Sequence, residues 1–227
     1  MGTVRRVRRA WGRGGPREVV LASRRWLARL IYPGDIPAPK RRRRHRAVPA
    51  TGPSAALDAR DVEHAQAMEW FGRRHATYVR LSEAVRDYVD PEGTIIDVGA
   101  NIGYFTKVLG ETLDFRGTAH LFEPLEHLAS LCDQTLARAP YTVHVHPYAL
   151  GDTDTKLDIF VDTSGGNLGW NTLVAERATA GMLATTIDVK PFTATAIERA
   201  PCFLKIDVEG AEHLVIAGMA DALASWD

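Results

Sequence analysis

The chain of 227 residues has few cysteines and no long apolar segment. Its two cysteines, Cys132 and Cys202, lie among apolar residues, which favours buried free thiols in a reducing compartment over a disulfide. No group of cysteines and histidines has the spacing of a metal site. No apolar run has transmembrane length, and arginines interrupt the early apolar stretch, unlike a signal peptide. We therefore expect a cytoplasmic protein.

The formal net charge of the chain is zero, but the charges are unevenly distributed along it. Residues 1–50 carry a charge of +13 and residues 51–227 a charge of −13. We expect residues 1–56 to be a basic, largely disordered arm and linker that can include a short amphipathic helix near residues 18–31. Weak contact of the arm with an anionic membrane is one hypothesis. A helix docked on its own domain, or a solvated linker, is the alternative.

Specific nucleic-acid binding is not expected of this arm. No aromatic residues are interleaved in the basic run 40–46 to stack on bases. Arginine outnumbers lysine 23 to 5, and such a bias can produce arginine runs that have no function.

Residues 57–227 are predicted to form one α/β domain, because apolar strand patterns alternate with helical patterns. This alternation indicates a mostly parallel, Rossmann-like sheet. The predicted helices cover 61–89, 103–113, 125–138, 194–199 and 211–224. The predicted strands cover 95–98, 118–122, 142–149, 157–161, 185–189 and 202–207.

The most informative segment is 95–106, Ile-Ile-Asp-Val-Gly-Ala-Asn-Ile-Gly-Tyr-Phe-Thr. It has the pattern of a buried strand, a tight turn and the start of a helix. Gly99 and Gly103 lack a Cβ, so we expect the backbone there to approach a bound ligand closely. Free N–H groups at the helix start suit a ligand carboxylate or phosphate.

Two residues narrow the choice of ligand. Asn101 stands where a dinucleotide motif has its second glycine, so the backbone is less able to approach a pyrophosphate closely. Glu123 ends the next strand, 20 residues after Gly103, where a carboxylate can bind the hydroxyls of a ribose. A ribose with a short charged tail describes S-adenosylmethionine. The alternative is that any Rossmann-like strand and turn has this pattern.

A third segment, 203–212, carries acidic residues at the carboxyl end of its strand. Asp207 is our candidate for the residue nearest the reacting group, because that end of the strand faces the ligand crevice. Lys205 and Glu209 alternate with Asp207 along the strand and are the other catalytic candidates, although Lys205 can instead be a structural partner of a carboxylate. Glu212 can simply favour the dipole of a helix start. Asp207, Glu209 and Glu212 together could bind Mg²⁺, but nothing shows that they converge.

The motifs D-V-G-A-N-I-G-Y-F-T, F-E-P, A-L-G-D and K-I-D-V-E-G-A-E together resemble the FkbM family of S-adenosylmethionine-dependent methyltransferases. The resemblance runs from about residue 88 to residue 222 and implies a class I methyltransferase fold. It implies that Glu123 binds the ribose and that Asp152 faces the adenine, unless Asp152 is only a turn residue. It further implies a group of residues at the methionine end of the cofactor: Asp97, Gly99, Asn101, Gly103 and Tyr104.

The resemblance also implies the reaction, which is methyl transfer to a hydroxyl of a sugar, glycolipid or secondary metabolite. The T-L-D-like element of the family is missing at 189–195, so the resemblance bears on the cofactor side more than on the acceptor side. Methyltransferases of this fold usually carry three more strands, so we expect the sheet to be truncated at the C-terminus. The rival hypotheses are an NAD(P)-dependent reductase and a non-catalytic remnant that binds cofactor.

Other polar residues have weaker patterns. His144 and His146 alternate along one predicted strand, where either could act as a base but both more simply face the open side. The glycine-rich segment 164–173 could form a loop over an acceptor or a plain hairpin connection.

Overall fold

The computed structural model describes residues 59–162, 182–197, 199–208 and 210–226. The basic arm (1–56), the glycine-rich segment 164–173 and the predicted site residue Glu209 lie outside these ranges. Within the described ranges, no helix is both long enough and apolar enough to cross a membrane.

Among the described residues, two helices and a 3₁₀ turn precede the first strand. They are α1 (Ala59–Gly72), α2 (His75–Ala84) and the 3₁₀ turn Arg86–Tyr88. The sequence predicted a single helical stretch over 61–89, and this was wrong at Gly72. Glycine is a poor residue for the interior of a helix, and the chain turns at Arg73 and Arg74 before it becomes helical again.

In the part of the chain that the structure describes, seven strands form two sheets. Their bounds are β1 (Thr94–Val98), β2 (Thr118–Phe122), β3 (Thr142–His146), β4 (Ala149–Leu150), β5 (Thr155–Asp162), β6 (Met182–Lys190) and β7 (Phe203–Ile206). The central sheet has the order β3-β2-β1-β7, and all its pairs are parallel. This confirms the predicted α/β fold with a mostly parallel sheet.

The order of the central strands creates a switch point beside β1. The chain passes outward from β1 to β2 and β3, then returns to the other side of β1 for β7. In open parallel sheets, ligands bind at such a point, outside the carboxyl ends of the strands. The turns that follow β1, β2 and β7 all meet there.

The second sheet has the order β4-β6-β5, with β5 and β6 antiparallel. The structure divides the strand predicted over 142–149 into two. Its first part is β3 of the central sheet, and its end is β4 of this second sheet. Pro147 lies at the division, where it has no N–H to donate to a continuing ladder. Where a helix near 194–199 was expected, the described residues form a 3₁₀ turn over Phe192–Ala194, and residue 198 lies outside them.

Helices cover both faces of the central sheet. On one face, α3 (Tyr104–Leu113) and α4 (Glu126–Leu136) pack on a buried apolar cluster that contains Ile95, Ala119 and Leu121. On the other face, α5 (Glu212–Gly218) and α6 (Ala220–Ser225) pack on Ile96, Phe122 and Leu204. The helix predicted over 211–224 is broken between α5 and α6 at the buried Met219.

Candidate functional site

The turn between β1 and α3 has three residues with left-handed backbone. The φ angles are +76° at Gly99, +54° at Asn101 and +73° at Gly103. Asparagine tolerates this region better than most residues, and the Asn101 side chain accepts a hydrogen bond from the Ile102 N–H (2.9 Å). Asn101 therefore preserves the shape of the turn where a dinucleotide motif would have a glycine.

The two glycines of this turn are surrounded by protein atoms. A Cβ on Gly99 would lie 2.2 Å from the carbonyl oxygen of Asp207, and one on Gly103 would lie 2.7 Å from Cys132 Sγ. The expectation that the missing Cβ atoms leave room for a ligand therefore needs correction, because they leave room for the chain that follows β7 and for α4. That the backbone of this turn binds a cofactor stays a prediction.

Glu123 lies beside this turn, at the carboxyl end of β2. Its Oε2 accepts a hydrogen bond from the Asn101 N–H (2.9 Å), and its Oε1 accepts one from the Leu125 N–H (3.1 Å). The residue is 6% exposed. Burial raises the pKa of Glu123 to about 7, against the lowering effect of its two N–H donors. The predicted neighbours, the glycine turn and Glu123, are thus in direct contact.

Asp97 forms a buried network beneath the turn. Its Oδ1 lies 2.7 Å from Lys205 Nζ, and its Oδ2 accepts a hydrogen bond from Thr106 Oγ1 at 2.8 Å. The side chains of Lys205 and Asp97 are 15% and 3% exposed. Both carboxylate oxygens of Asp97 are therefore engaged by protein groups. The sequence left open whether Lys205 is a structural partner of a carboxylate, and the structure shows this ion pair.

The acidic residues after β7 are placed differently from one another. The Asp207 N–H donates to the Val98 carbonyl (2.9 Å), which holds Asp207 at the switch point beside the glycine turn. Glu212 begins α5, and its carboxylate accepts a hydrogen bond from the Gly210 N–H (3.2 Å). Its place in the first turn of α5 is where a carboxylate favours the helix dipole, which is the structural role weighed for Glu212. The described residues include no group of three potential metal ligands that could hold an ion, and Glu209 lies outside them.

The family model of the FkbM methyltransferase domain matches residues 97–227, and these residues make up more than half of the chain. The chain belongs to the FkbM methyltransferase family. No curated protein and no solved structure gave a significant match. The matched region begins at Asp97, so it contains every site residue predicted from the sequence. The α/β fold and the family agree with the predicted Rossmann-like methyltransferase domain.

Tyr104 of the FkbM domain points toward the N-terminal helices. Its hydroxyl lies 3.2 Å from His75 Nδ1, and its ring stacks on Phe71 with a centroid distance of 5.5 Å. Tyr104 is 6% exposed, so most of its surface is covered by these contacts. The structure therefore gives Tyr104 a packing role that anchors α1 and α2 against the start of α3. Direct contact with a cofactor stays a prediction.

Asp152 lies in the turn between β4 and β5. This turn packs directly on α5, because a Cβ on Gly218 would lie 1.7 Å from the Gly151 carbonyl oxygen. The exposed Asp152 accepts a hydrogen bond from Thr153 Oγ1 at 3.4 Å, as a simple turn residue does. Its contact with the adenine stays a prediction.

A stack of three histidines was only partly foreseen from the sequence. His144 and His146 on β3 share one face, as expected, and His120 on β2 joins them. His120 stacks on His144 with a centroid distance of 4.8 Å, and its Nδ1 lies 3.1 Å from His146 Nε2. The sequence contains a pattern that could have placed His120 with the other two histidines. His120 and Phe122 alternate along β2 as His144 and His146 do along β3. Burial, then the neighbouring imidazoles, lowers the pKa of His120 to about 4.

An open groove of about 620 Å³ lies between α3 and α4. Lys107, Gln134 and Tyr141 are among the residues that line it, and none of the predicted site residues is. This groove is therefore separate from the predicted site residues of the FkbM domain.

Proposed function

We propose that this FkbM domain uses S-adenosylmethionine as its methyl donor and methylates a hydroxyl of a sugar, glycolipid or secondary metabolite. The observation that carries the proposal is the contact of Glu123 with the Asn101 N–H at the carboxyl edge of the sheet. Through this hydrogen bond, a carboxylate at the position where such folds bind ribose hydroxyls lies against the turn at the switch point. The acceptor class is supported by the family resemblance alone.

The residues at this edge fit an adenosyl group. Each oxygen of the Glu123 carboxylate accepts one backbone N–H and keeps lone-pair capacity for a ribose hydroxyl. The two N–H donors fix the carboxylate in one orientation before a ligand arrives. Because Glu123 is almost completely buried, a hydroxyl bound to it would be shielded from competing water.

The roles proposed for the other residues follow from their places around this carboxylate. S-adenosylmethionine, when bound, supplies a methyl group on a positively charged sulfur. Gly99, Asn101 and Gly103 would hold its methionine end through the backbone of the turn. Asp207 would orient the acceptor hydroxyl and accept its proton, because it follows β7 at the same edge. The contacts of Asp97 support an indirect role, since both its oxygens are already engaged.

Titration calorimetry with S-adenosylhomocysteine and with NAD(P)H tests the proposal. We expect saturable binding of S-adenosylhomocysteine, weakened by about 1–3 kcal/mol, or about 5- to 150-fold, in Glu123→Gln. The matched control is Glu126→Gln, an exposed glutamate in the first turn of α4, which should bind as the wild type does.

Other outcomes would point elsewhere. Saturable binding of the dinucleotide alone would support a reductase and refute the proposal. Binding of S-adenosylhomocysteine without methyl transfer to any glycan or metabolite extract would favour a non-catalytic remnant. An unchanged affinity in Glu123→Gln would remove Glu123 from the ribose site.

A further inference from the structure

Lys205 is placed unlike an exposed catalytic lysine. It lies on β7 directly opposite Asp97 on β1 in the register of the two strands. Its ammonium is within hydrogen-bond distance of two oxygens, Asp97 Oδ1 at 2.7 Å and the Gly99 carbonyl at 3.3 Å. The ring of Phe105 covers it as well, with its centroid 5.6 Å from Nζ. Lys205 thus connects the charged network beneath the sheet edge to the glycine turn.

The charge of this lysine is stable despite its burial. Burial alone would lower the pKa of Lys205, but the negative charges of Asp97 and Asp207 and the hydrogen bond to Asp97 raise it above its ordinary value. Lys205 is therefore a protonated donor at neutral pH and not a base that could take a proton from an acceptor hydroxyl.

The hydrogen bond to Gly99 fixes one peptide group of the turn. The Gly99 carbonyl accepts from Lys205, and the N–H on the other side of the same peptide, that of Ala100, donates to the Phe122 carbonyl at 3.1 Å. Both polar groups of this peptide are therefore engaged. The next N–H along the chain, that of Asn101, is the one that donates to Glu123.

We infer that Lys205 is a positioning residue for the cofactor: through the Gly99 carbonyl it holds the turn in the conformation that presents Asn101 to Glu123. The inference rests on the proposed function and adds to it a residue that acts without touching the cofactor. Lys205 then governs cofactor affinity, while the methyl-transfer step depends on other groups.

A simpler role for Lys205 is that it only neutralises the buried charge of Asp97. Two variants separate the roles. Lys205→Met removes the donor to Gly99 and leaves Asp97 charged, whereas the double variant Asp97→Asn/Lys205→Met removes the donor and leaves no stranded charge. Lys156→Met is the matched control, because Lys156 also pairs with a carboxylate, that of Asp188, but on the exposed surface.

The test is the dissociation constant of S-adenosylhomocysteine by calorimetry, with kcat and KM for S-adenosylmethionine measured alongside. We expect both the single and the double variant to bind at least tenfold more weakly. We also expect KM to rise by the same factor, kcat at saturating cofactor to fall less than threefold, and Lys156→Met to match the wild type.

Three results would overturn the inference. Wild-type affinity in the double variant would show that Lys205 only balances Asp97. A fall in kcat with an unchanged KM would place Lys205 in the transfer step. A double variant that does not fold would place it in folding. Wild-type protein that binds no S-adenosylhomocysteine would instead refute the proposed function, so the two failures are distinguishable.

Discussion

The two faces of the central sheet carry polar groups of opposite kinds. The lysine face, defined by Asp97, Lys205 and Thr106, buries a pair of opposite charges joined by hydrogen bonds. The histidine face, defined by His120, His144 and His146, stacks three imidazoles, and burial lowers the pKa of His120 to about 4. The lysine face therefore depends on two opposite charges that are both present, whereas the histidine face depends on imidazoles that stay neutral.

This difference predicts which perturbation each face tolerates. A buried charge pair is stable only while both partners remain, because the loss of one strands the other away from water. In a stack of neutral imidazoles, the loss of one member leaves no charge stranded. At acid pH, however, protonation of the imidazoles places like charges next to each other. The lysine face should respond most to substitution and the histidine face most to pH.

The largest expected effect is the loss of one partner on the lysine face. Lys205→Met should lower the free energy of unfolding by about 3–5 kcal/mol, because the Asp97 charge is left buried and unpaired. Urea denaturation measures this loss. Lys156→Met is the control, since Lys156 and Asp188 are 70% and 53% exposed, and it should lose less than about 1 kcal/mol.

The double variant Asp97→Asn/Lys205→Met sharpens this prediction. It should recover most of the stability lost in Lys205→Met, because no charge remains stranded. Equal losses in Lys205→Met and Lys156→Met would mean that the pair on the lysine face is no more buried in solution than a surface pair.

A smaller effect is expected on the histidine face at acid pH. A histidine whose pKa is lowered by folding contributes stability that is present above its unfolded pKa of 6.5 and is lost as the pH falls toward 4. The neighbouring imidazoles of His146 and His144 also lower the pKa of His120, because a charge on either one opposes its protonation. We expect a loss of about 1–2 kcal/mol over this window, after allowance for screening by solvent.

Glu123 opposes this trend over part of the same window. Its pKa is raised from 4.5 to about 7, so its favourable contribution is present below pH 4.5 and is lost as the pH rises to 7. The measurement is therefore best made by thermal unfolding in a Glu123→Gln background. His120→Phe should flatten the remaining pH dependence, and an unchanged slope would show that the stack does not cause it.

The smallest effect is expected where the lysine face meets the N-terminal helices. Tyr104→Phe removes the hydrogen bond to His75 and should cost about 0.5–1.5 kcal/mol of stability, and the packing role of Tyr104 further predicts an unchanged affinity for S-adenosylhomocysteine. Thermal unfolding and calorimetry measure the two quantities. A weaker affinity with unchanged stability would show that Tyr104 contacts the cofactor directly.

Local patterns predicted the elements that form the site. The apolar run before Gly99 and the helix after Gly103 give β1 and α3 nearly as expected, because strand burial and helix starts depend on neighbouring residues. The misses have local causes as well. Gly72 ends α1, and Pro147 separates β3 from β4, although the apolar pattern continues through both positions.

Contacts between distant segments could not be predicted in the same way. Asp97 and Lys205 are 108 positions apart, and they meet only because β7 returns beside β1. The sequence left the partner of Lys205 open for this reason. The direction of Tyr104 likewise depends on the packing of α1 and α2, and the addition of His120 to the stack depends on the register of β2 and β3.

A crystal structure of the protein with S-adenosylhomocysteine tests the central claim most directly. The account predicts both ribose hydroxyls within about 3.2 Å of the Glu123 carboxylate, with the homocysteine end along the turn that contains Gly99 and Asn101. A ligand bound elsewhere, with Glu123 still covered and in contact only with the N–H groups of Asn101 and Leu125, would contradict it.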